Sequence, residues 1–274
     1  MWNEFTSRAV LVTGGTRGIG LATGLAFARR GAHVTLTQKW GSADAHAIGR
    51  AFVAAGAVEP DLVDADVAHD DDTRALMRRI RERHQTLEVF VSNVAFAPLA
   101  RSFEDYTRRG LASAIDHSAW PLVSHTRIAE EVFGQPPRYV VGISSEGVDS
   151  FHVNYDVVAA AKAVLETLAR YMNHRLRPRG VRVNVVRTRF VATESLRATF
   201  GEAFEPFVDR YAPGLFTTAE GVGEAIFGLC SGLMDGVGGQ VITVDRGASV
   251  FDNLSRLFTD RERLPTLPLL VREP

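Results

Sequence analysis

The sequence predicts a doubly wound α/β fold, a seven-stranded parallel sheet covered by helices on both faces, in a single domain. Three observations predict it. Short β-rich runs alternate with longer amphipathic stretches along nearly the whole chain, which implies parallel strands joined by helical crossovers. A glycine cluster lies between the first run and the first helical stretch. The chain has 274 residues, 46% apolar and 23% charged, the size and balance of one packed soluble domain.

The strand-like runs lie at 9–13, 33–37, 61–67, 88–92, 138–144, 181–186 and 240–244. Helical patterns occupy 18–30, 70–84, 104–133, 156–176 and 219–234. In "DDDTRALMRRIRERH", Leu76, Ile80 and the aliphatic stem of Arg83 recur at three- and four-residue spacing, one face of a helix. Two segments break the rhythm: an insertion at about 193–217 and a tail from 251 onward. The expected organisation is a nucleotide-binding domain over 1–250 and a C-terminal extension over 251–274, which either crosses a neighbour or packs as an extended arm.

Composition excludes several classes. Thirty-one Lys and Arg against 32 Asp and Glu give a net charge of -1, with no basic excess for nucleic acid or an anionic membrane. One cysteine, Cys230 in the apolar run "AIFGLCSGLM", rules out an internal disulfide framework and reads as a core residue. No apolar run reaches the roughly 18 residues of a membrane span, and "MWNEFTSRAVLV" lacks a signal-peptide pattern. A cytoplasmic protein is expected, and the chemistry below calls for no metal.

"VTGGTRGIG" places Gly14, Thr16, Arg17, Gly18, Ile19 and Gly20 between strand and helix. Glycines there let the backbone approach a pyrophosphate, and the helix N-terminus offers free N–H groups. The second strand ends in "LTQKW", with Gln38 and Lys39 where an acid would accept from the adenosine ribose. Cations without an acid favour NADPH over NADH. At the ends of the third and fourth strands, Asp66 (beside Val67) is placed to meet the adenine amino group, and Asn93 to lie beside the adenosine ribose.

With "TGGTRGIG", Asp66, "SNVA" at 92–95 and a Ser–Tyr–Lys set, the chain resembles the short-chain dehydrogenase/reductase family, a Rossmann-type fold, over residues 8 to about 250. In that family's common branch Tyr and Lys stand four apart, but that tyrosine position is Val158 here. Tyr155 and Lys162 instead stand seven apart, which resembles the divergent enoyl-(acyl carrier protein) reductase branch. "AFAPL" at 95–99 and "TRRGLASAIDHSAW" at 107–120 are similar to segments of that branch, most like the variant called enoyl reductase III.

The offset has a physical rationale. A ketone takes hydride on the carbon that bears the oxygen, whereas an enoyl thioester takes it at Cβ and collects charge on the more distant thioester oxygen. Moving the tyrosine three residues along a helix displaces the proton donor by about 4.5 Å. Seven residues are close to two turns, so Tyr155 and Lys162 keep one face. The resemblance implies that Tyr155 serves the enolate oxygen and Lys162 the nicotinamide ribose. It further implies that Ser145, or its neighbour Ser144, orients the carbonyl or Tyr155, and that Val191 and Thr193 contact the carboxamide. It also implies a homotetramer assembled through the helices at 104–133 and 156–176.

On the substrate side, Phe200, Phe204, Phe207 and Tyr211 of the insertion recur at helical spacing. They read either as a helix seated on the core or as a lid over a lipophilic acyl chain. Phe96 and Trp120 are further candidates for an apolar wall. Two positions depart from the family: Arg189, in "RTRFVATES", stands where small residues flank the nicotinamide, and Arg246 stands where glycine is usual. Arg189 is open to three readings: crowding the ring, binding a cofactor phosphate, or pairing with an acidic substrate group. The expected activity is NADPH-dependent reduction of the C=C bond of an enoyl thioester, on CoA or on acyl carrier protein, in fatty acid or polyketide biosynthesis. The alternatives are a carbonyl or imine reductase of specialised metabolism and a non-catalytic NADP(H)-binding protein.

Overall fold

The computed structural model describes residues 5–39, 43–96 and 98–262. Seven parallel strands form one sheet in the order β3-β2-β1-β4-β5-β6-β7. They are β1 (Ala9–Val12), β2 (His33–Gln38), β3 (Asp61–Asp64), β4 (Leu87–Ser92), β5 (Tyr139–Ser145), β6 (Arg182–Thr188) and β7 (Val241–Val244). The helices are α1 (Gly18–Ala28), α2 (Ala45–Ala54), α3 (Asp70–Arg81), α4 (Arg108–Ser118), α5 (Trp120–Phe133), α6 (Asp156–Leu176), α7 (Glu194–Phe200), α8 (Phe204–Tyr211), α9 (Ala219–Cys230) and α10 (Asn253–Asp260). Strand order reverses between β1 and β4, and that switch point opens the crevice in which such folds bind ligands.

Strand side chains alternate between two cores, as a period of two requires. Val10, Val12, Val34 and Leu36 point to one face, where Phe27 of α1, Ile48 and Phe52 of α2, and Ile226 of α9 cover them. Ala9, Leu11, Val140 and Val183 point to the other, against Leu76 and Ile80 of α3, Leu122 of α5 and Leu165 of α6. Cys230 is buried in the first core, and burial pushes its thiol pKa up, so it is no nucleophile.

Four expectations need correction. The stretch 104–133 is two helices: the chain bends at Ala119, and Pro121 at the start of α5 lacks the N–H that a continuous helix needs. β3 ends at Asp64, because the Asp66 backbone N–H turns to the Asp72 carboxylate instead of a strand. The insertion is two helices separated by Gly201 at φ +86°, so Phe200 does not share a helix with Phe204, Phe207 and Tyr211. The tail from 251 holds α10 where an extended arm was expected, and residues 263–274 lie outside those described.

Helix α2 was missed by the sequence reading. Its signal was present: the Asp44 carboxylate caps the N–H groups of His46 and Ala47, and Ile48 and Phe52 stand four apart on the buried face. Arg246 adopts φ +56°, a left-handed conformation that explains why glycine suits this position. The Asp245 carboxylate holds that turn by accepting from the Gly247 and Ser249 N–H groups at 2.8 and 2.6 Å.

Candidate active site

A cleft of about 950 Å³ runs along the carboxyl ends of β1, β2, β4, β5 and β6. Its first end is the glycine loop. Gly14 and Gly18 have φ of +61° and +53°, and the first turn of α1 has no capping side chain and no acid. Its N–H groups are left for an anion, which suits a dinucleotide pyrophosphate. The buried Gln38 Oε1 has no hydrogen-bond partner and lines the same cleft, a polar vacancy that fits an adenosine.

Gly20 is the tightest point of the loop. A Cβ there would lie 2.3 Å from the Gly14 carbonyl oxygen and 2.7 Å from Asn93 Nδ2. Asn93 lines the cleft, and its two amide N–H donors are taken by the carbonyls of Thr13 and Gly14 at 3.0 and 2.9 Å. Asn93 therefore braces the loop with its donors, while its Oδ1 remains as an acceptor for a ribose hydroxyl. Gly20→Ala is expected to lose cofactor affinity by tenfold or more. It should also destabilise the protein by about 1–3 kcal/mol, measured by cofactor titration and thermal unfolding.

Thr16, Arg17, Ile19, Lys39, Asp66 and Val67 also line this end. Lys39 Nζ lies 3.8 Å from both Asp66 and Asp72, so its charge is partly offset. Asp66 is buried and its Oδ1 accepts from the Ala68 N–H at 3.0 Å. Arg17 bonds Glu194 of α7 at 2.5 Å, and Val191 and Thr193 continue the wall toward β6.

The other end holds the reactive set. Tyr155 is the N-cap of α6, reached through Asn154 at φ +62°, and Lys162 lies two turns into the helix. Burial raises the Tyr155 pKa, with a hydrogen bond to Ser145 acting in the opposite direction. The phenol is thus a protonated donor across the neutral range. Lys162 is 3% exposed and donates to the Ile143 carbonyl at 2.7 Å, leaving two of its three donors for a ligand. Burial lowers its pKa to about 8, against a smaller upward pull from the Glu166 carboxylate.

Ser144 and Ser145 separate cleanly. The Ser144 hydroxyl is committed to Glu166 at 2.7 Å, whereas Ser145 stands beside Tyr155. Val158 is 1% exposed and seals the cleft floor between Tyr155 and Lys162. Phe96 lines the cleft, its N–H held by Ser118 Oγ of α4 at 2.9 Å. Phe200 lines it as well, but Phe204 does not: it stacks behind Phe200 at 4.5 Å and packs edge-on against Phe190. Trp120 is no part of this wall. The bend at Ala119 turns it to a separate shallow groove with Asp70, Arg74 and Arg127.

Sequence reasoning missed two buried charge networks. Glu166, 3% exposed, accepts from Ser144 and takes Arg187 Nε and Nη2 at 3.0 and 2.7 Å. Its signal was an acid four residues after Lys162 on the apolar face of one helix. Glu146 accepts from Ser150 Oγ at 2.6 Å and pairs with His152 Nε2 at 2.8 Å, with Arg189 Nε 3.7 Å away. No spacing rule pointed to it. Among the described residues no His, Cys, Asp and Glu cluster could hold a metal, and no helix is long and apolar enough to cross a membrane.

Residues 14–249 match the family model described as enoyl-(acyl carrier protein) reductase. The chain is 30% identical over 256 residues to the enoyl-(acyl carrier protein) reductase (NADH) FabI of Escherichia coli (strain K12), covering 89% of this chain and 95% of that protein. It is 30% identical over 247 residues to 1-cyclohexenylcarbonyl-CoA reductase of Streptomyces collinus, covering 88% and 86%. Among solved structures, a short chain dehydrogenase from Burkholderia cenocepacia J2315 in complex with NADP superposes with a TM-score of 0.78 at 23% identity, covering 90% and 99% of the two chains. A variant of the actinorhodin polyketide ketoreductase with NADPH gives a TM-score of 0.78 at 22%, covering 89% and 98%. These two likenesses show the fold alone; the family model and the curated relatives show the lineage. The chain is a nicotinamide-dependent oxidoreductase of the short-chain dehydrogenase/reductase family, and belongs within it to the enoyl-(acyl carrier protein) reductases.

Proposed function

We propose that this protein reduces the C=C bond of an α,β-unsaturated acyl thioester with NADPH. The observation that carries the reading is the placement of Tyr155. The proton donor of the cleft sits at the mouth of α6 beside Ser145, one turn before the sealed Val158 position, a displacement that suits the oxygen of an enolate better than that of a ketone. The relatives in Escherichia coli and Streptomyces collinus support the reaction class. Lys39 at the adenosine end, more loosely paired than Arg17, and the lack of an acid at the end of β2 support the phosphorylated cofactor. The Escherichia coli relative is named for NADH, so the two cofactors belong side by side in the test.

When bound, the cofactor supplies the hydride. The chain's own residues do the rest. Lys162 directs its two free donors at the ribose hydroxyls, and its positive charge favours negative charge on a nearby oxygen. The Tyr155 hydroxyl donates to the thioester oxygen as charge develops there, and Ser145 orients the phenol. Val158 and Phe96 keep water from that surface, and α7 with Phe200 covers the acyl group as a lid. An acyl carrier protein or CoA delivers the substrate, and the family's tetramer would form through α4, α5 and α6.

The test is an oxidation screen with NADPH and NADH, pairing enoyl-CoA and enoyl-(acyl carrier protein) substrates with their β-keto counterparts. Turnover of the enoyl members is expected. Turnover of only the keto members would select a carbonyl reductase, and cofactor binding without turnover would select a non-catalytic binding protein.

The same arrangement fixes a pH dependence. Lys162 loses its proton near pH 8, below the ordinary 10.5, and the cation is the form that serves the site. The kcat/KM for cofactor should therefore fall above about pH 8, approaching tenfold per pH unit. Stability moves the other way. Between about 8 and 10.5 the unfolded chain binds the extra proton, so folding becomes more favourable as pH rises through that window. A pH–rate profile beside a pH–denaturation series checks both signs.

A further inference from the structure

We propose that the acyl pocket is built for a substrate carrying a neutral oxygen, a hydroxyl or keto group on the acyl chain, and that His152 is the residue that recognises it. The inference rests on the reading of the protein as an enoyl thioester reductase and names the substrate class of that site. An enzyme for unsubstituted fatty acyl chains needs an apolar wall beyond the proton donor. Here that wall is polar at its base.

The His152 ring lies 6.0 Å from the Tyr155 ring and is boxed by Phe190 at 5.4 Å and Phe200 at 6.0 Å, centroid to centroid. His152, Tyr155, Phe200 and Arg189 all line the one cleft. Behind them is the Glu146 carboxylate, whose residue is 6% exposed and which engages His152 Nε2 at 2.8 Å. Arg189, its side chain only 12% exposed, donates from Nη1 to the Ala248 carbonyl at 2.6 Å, while its buried Nε has no hydrogen-bond partner.

Three features select a neutral oxygen. With Nε2 held by Glu146, the imidazole is fixed in one orientation inside an aromatic box, and its Nδ1 remains as the second hydrogen-bonding atom. Arg189 and Glu146 lie 3.7 Å apart and offset each other, so the site carries no bare positive charge for a carboxylate. This answers one reading of Arg189 from the sequence: an acidic substrate group would compete with Glu146 for a cation already matched. Finally, one buried polar atom at this pocket, Arg189 Nε, has no hydrogen-bond partner, and a plain alkyl chain leaves both it and the His152 Nδ1 unmatched.

The experiment compares hex-2-enoyl-CoA with its 4-, 5- and 6-hydroxy analogues and a 5-carboxy analogue, in wild type and His152→Phe. The phenylalanine preserves the aromatic packing and removes both ring nitrogens. The readout is the ratio of kcat/KM values, with calorimetric binding of the corresponding saturated CoA thioesters to the NADP+-loaded protein alongside it. At least one hydroxy analogue should exceed the plain chain by about tenfold or more, and the ratio should fall to near one in His152→Phe. A structural role for His152 would lower all substrates alike. Equal or better use of the plain chain, preference for the carboxy analogue, or an unchanged ratio in His152→Phe would each overturn the proposal. If no analogue turns over but the hydroxylated thioesters bind better in a His152-dependent way, the reductase reading fails and the pocket assignment stands.

Discussion

Tyr155→Phe is expected to lower kcat with an enoyl thioester by about 10²–10⁴-fold while leaving cofactor affinity unchanged. The substitution removes one oxygen from a ring packed against Gly147, where a Cβ would approach the ring carbons to 2.7 Å, so the ring itself cannot move far. Lys162 keeps its bond to the Ile143 carbonyl and its reach to the ribose, because neither depends on the phenol. The loss should therefore fall on kcat and kcat/KM equally, the signature of an interaction made in the transition state. Full activity in Tyr155→Phe would remove Tyr155 from the mechanism and return attention to Ser145. A large rise in the dissociation constant for NADPH would instead mean that the phenol holds the cofactor.

The layered fold was legible because its signals are local. Alternating strand residues and a glycine-rich turn before a helix require nothing distant to be recognised, as at Val10, Val12 and Gly20. The errors fell where a local signal was overruled or too faint. Pro121 split a continuous amphipathic pattern and carried Trp120 away from the cleft, although a proline was there to be read. Gly201 did the same to the aromatic run from Phe200 to Tyr211, leaving Phe204 as backing for Phe200. Asn93 was found by position, but its bracing of the glycine loop was not, since its partners, the Thr13 and Gly14 carbonyls, lie about 80 residues away in the chain. The Glu146–Arg189 pair was illegible for the same reason, and Glu166, though its place on the apolar face of α6 marked it, could not be matched to Arg187 from the chain alone.

Arg187→Ala is expected to destabilise the protein by about 3–5 kcal/mol, the cost of leaving a buried carboxylate without its main cation. Glu166 would keep the Ser144 hydroxyl at 2.7 Å and a distant Arg170 at 3.8 Å, too little to replace two short guanidinium bonds. Arg187 also bonds Asp149, in the loop after β5, so the variant should loosen the approach to Tyr155. A fall in Tm of roughly 6–20 °C follows for a chain of this size. Thermal unfolding tests this, and a loss below about 1 kcal/mol would mean that Glu166 does not depend on Arg187. Arg187→Met combined with Glu166→Gln should recover part of the stability, because it leaves no unmatched charge. The catalytic consequence separates this network from a purely structural one. The Glu166 carboxylate raises the Lys162 pKa against burial, and without Arg187 its field on Lys162 is stronger. The alkaline limb of the kcat/KM profile should then move above pH 8 in Arg187→Ala, measured well below its melting range, and below the wild-type position in Glu166→Gln. Opposite shifts from two substitutions in one ion pair are what coupling to Lys162 requires; an unmoved limb in both would confine the pair to holding β6 against α6.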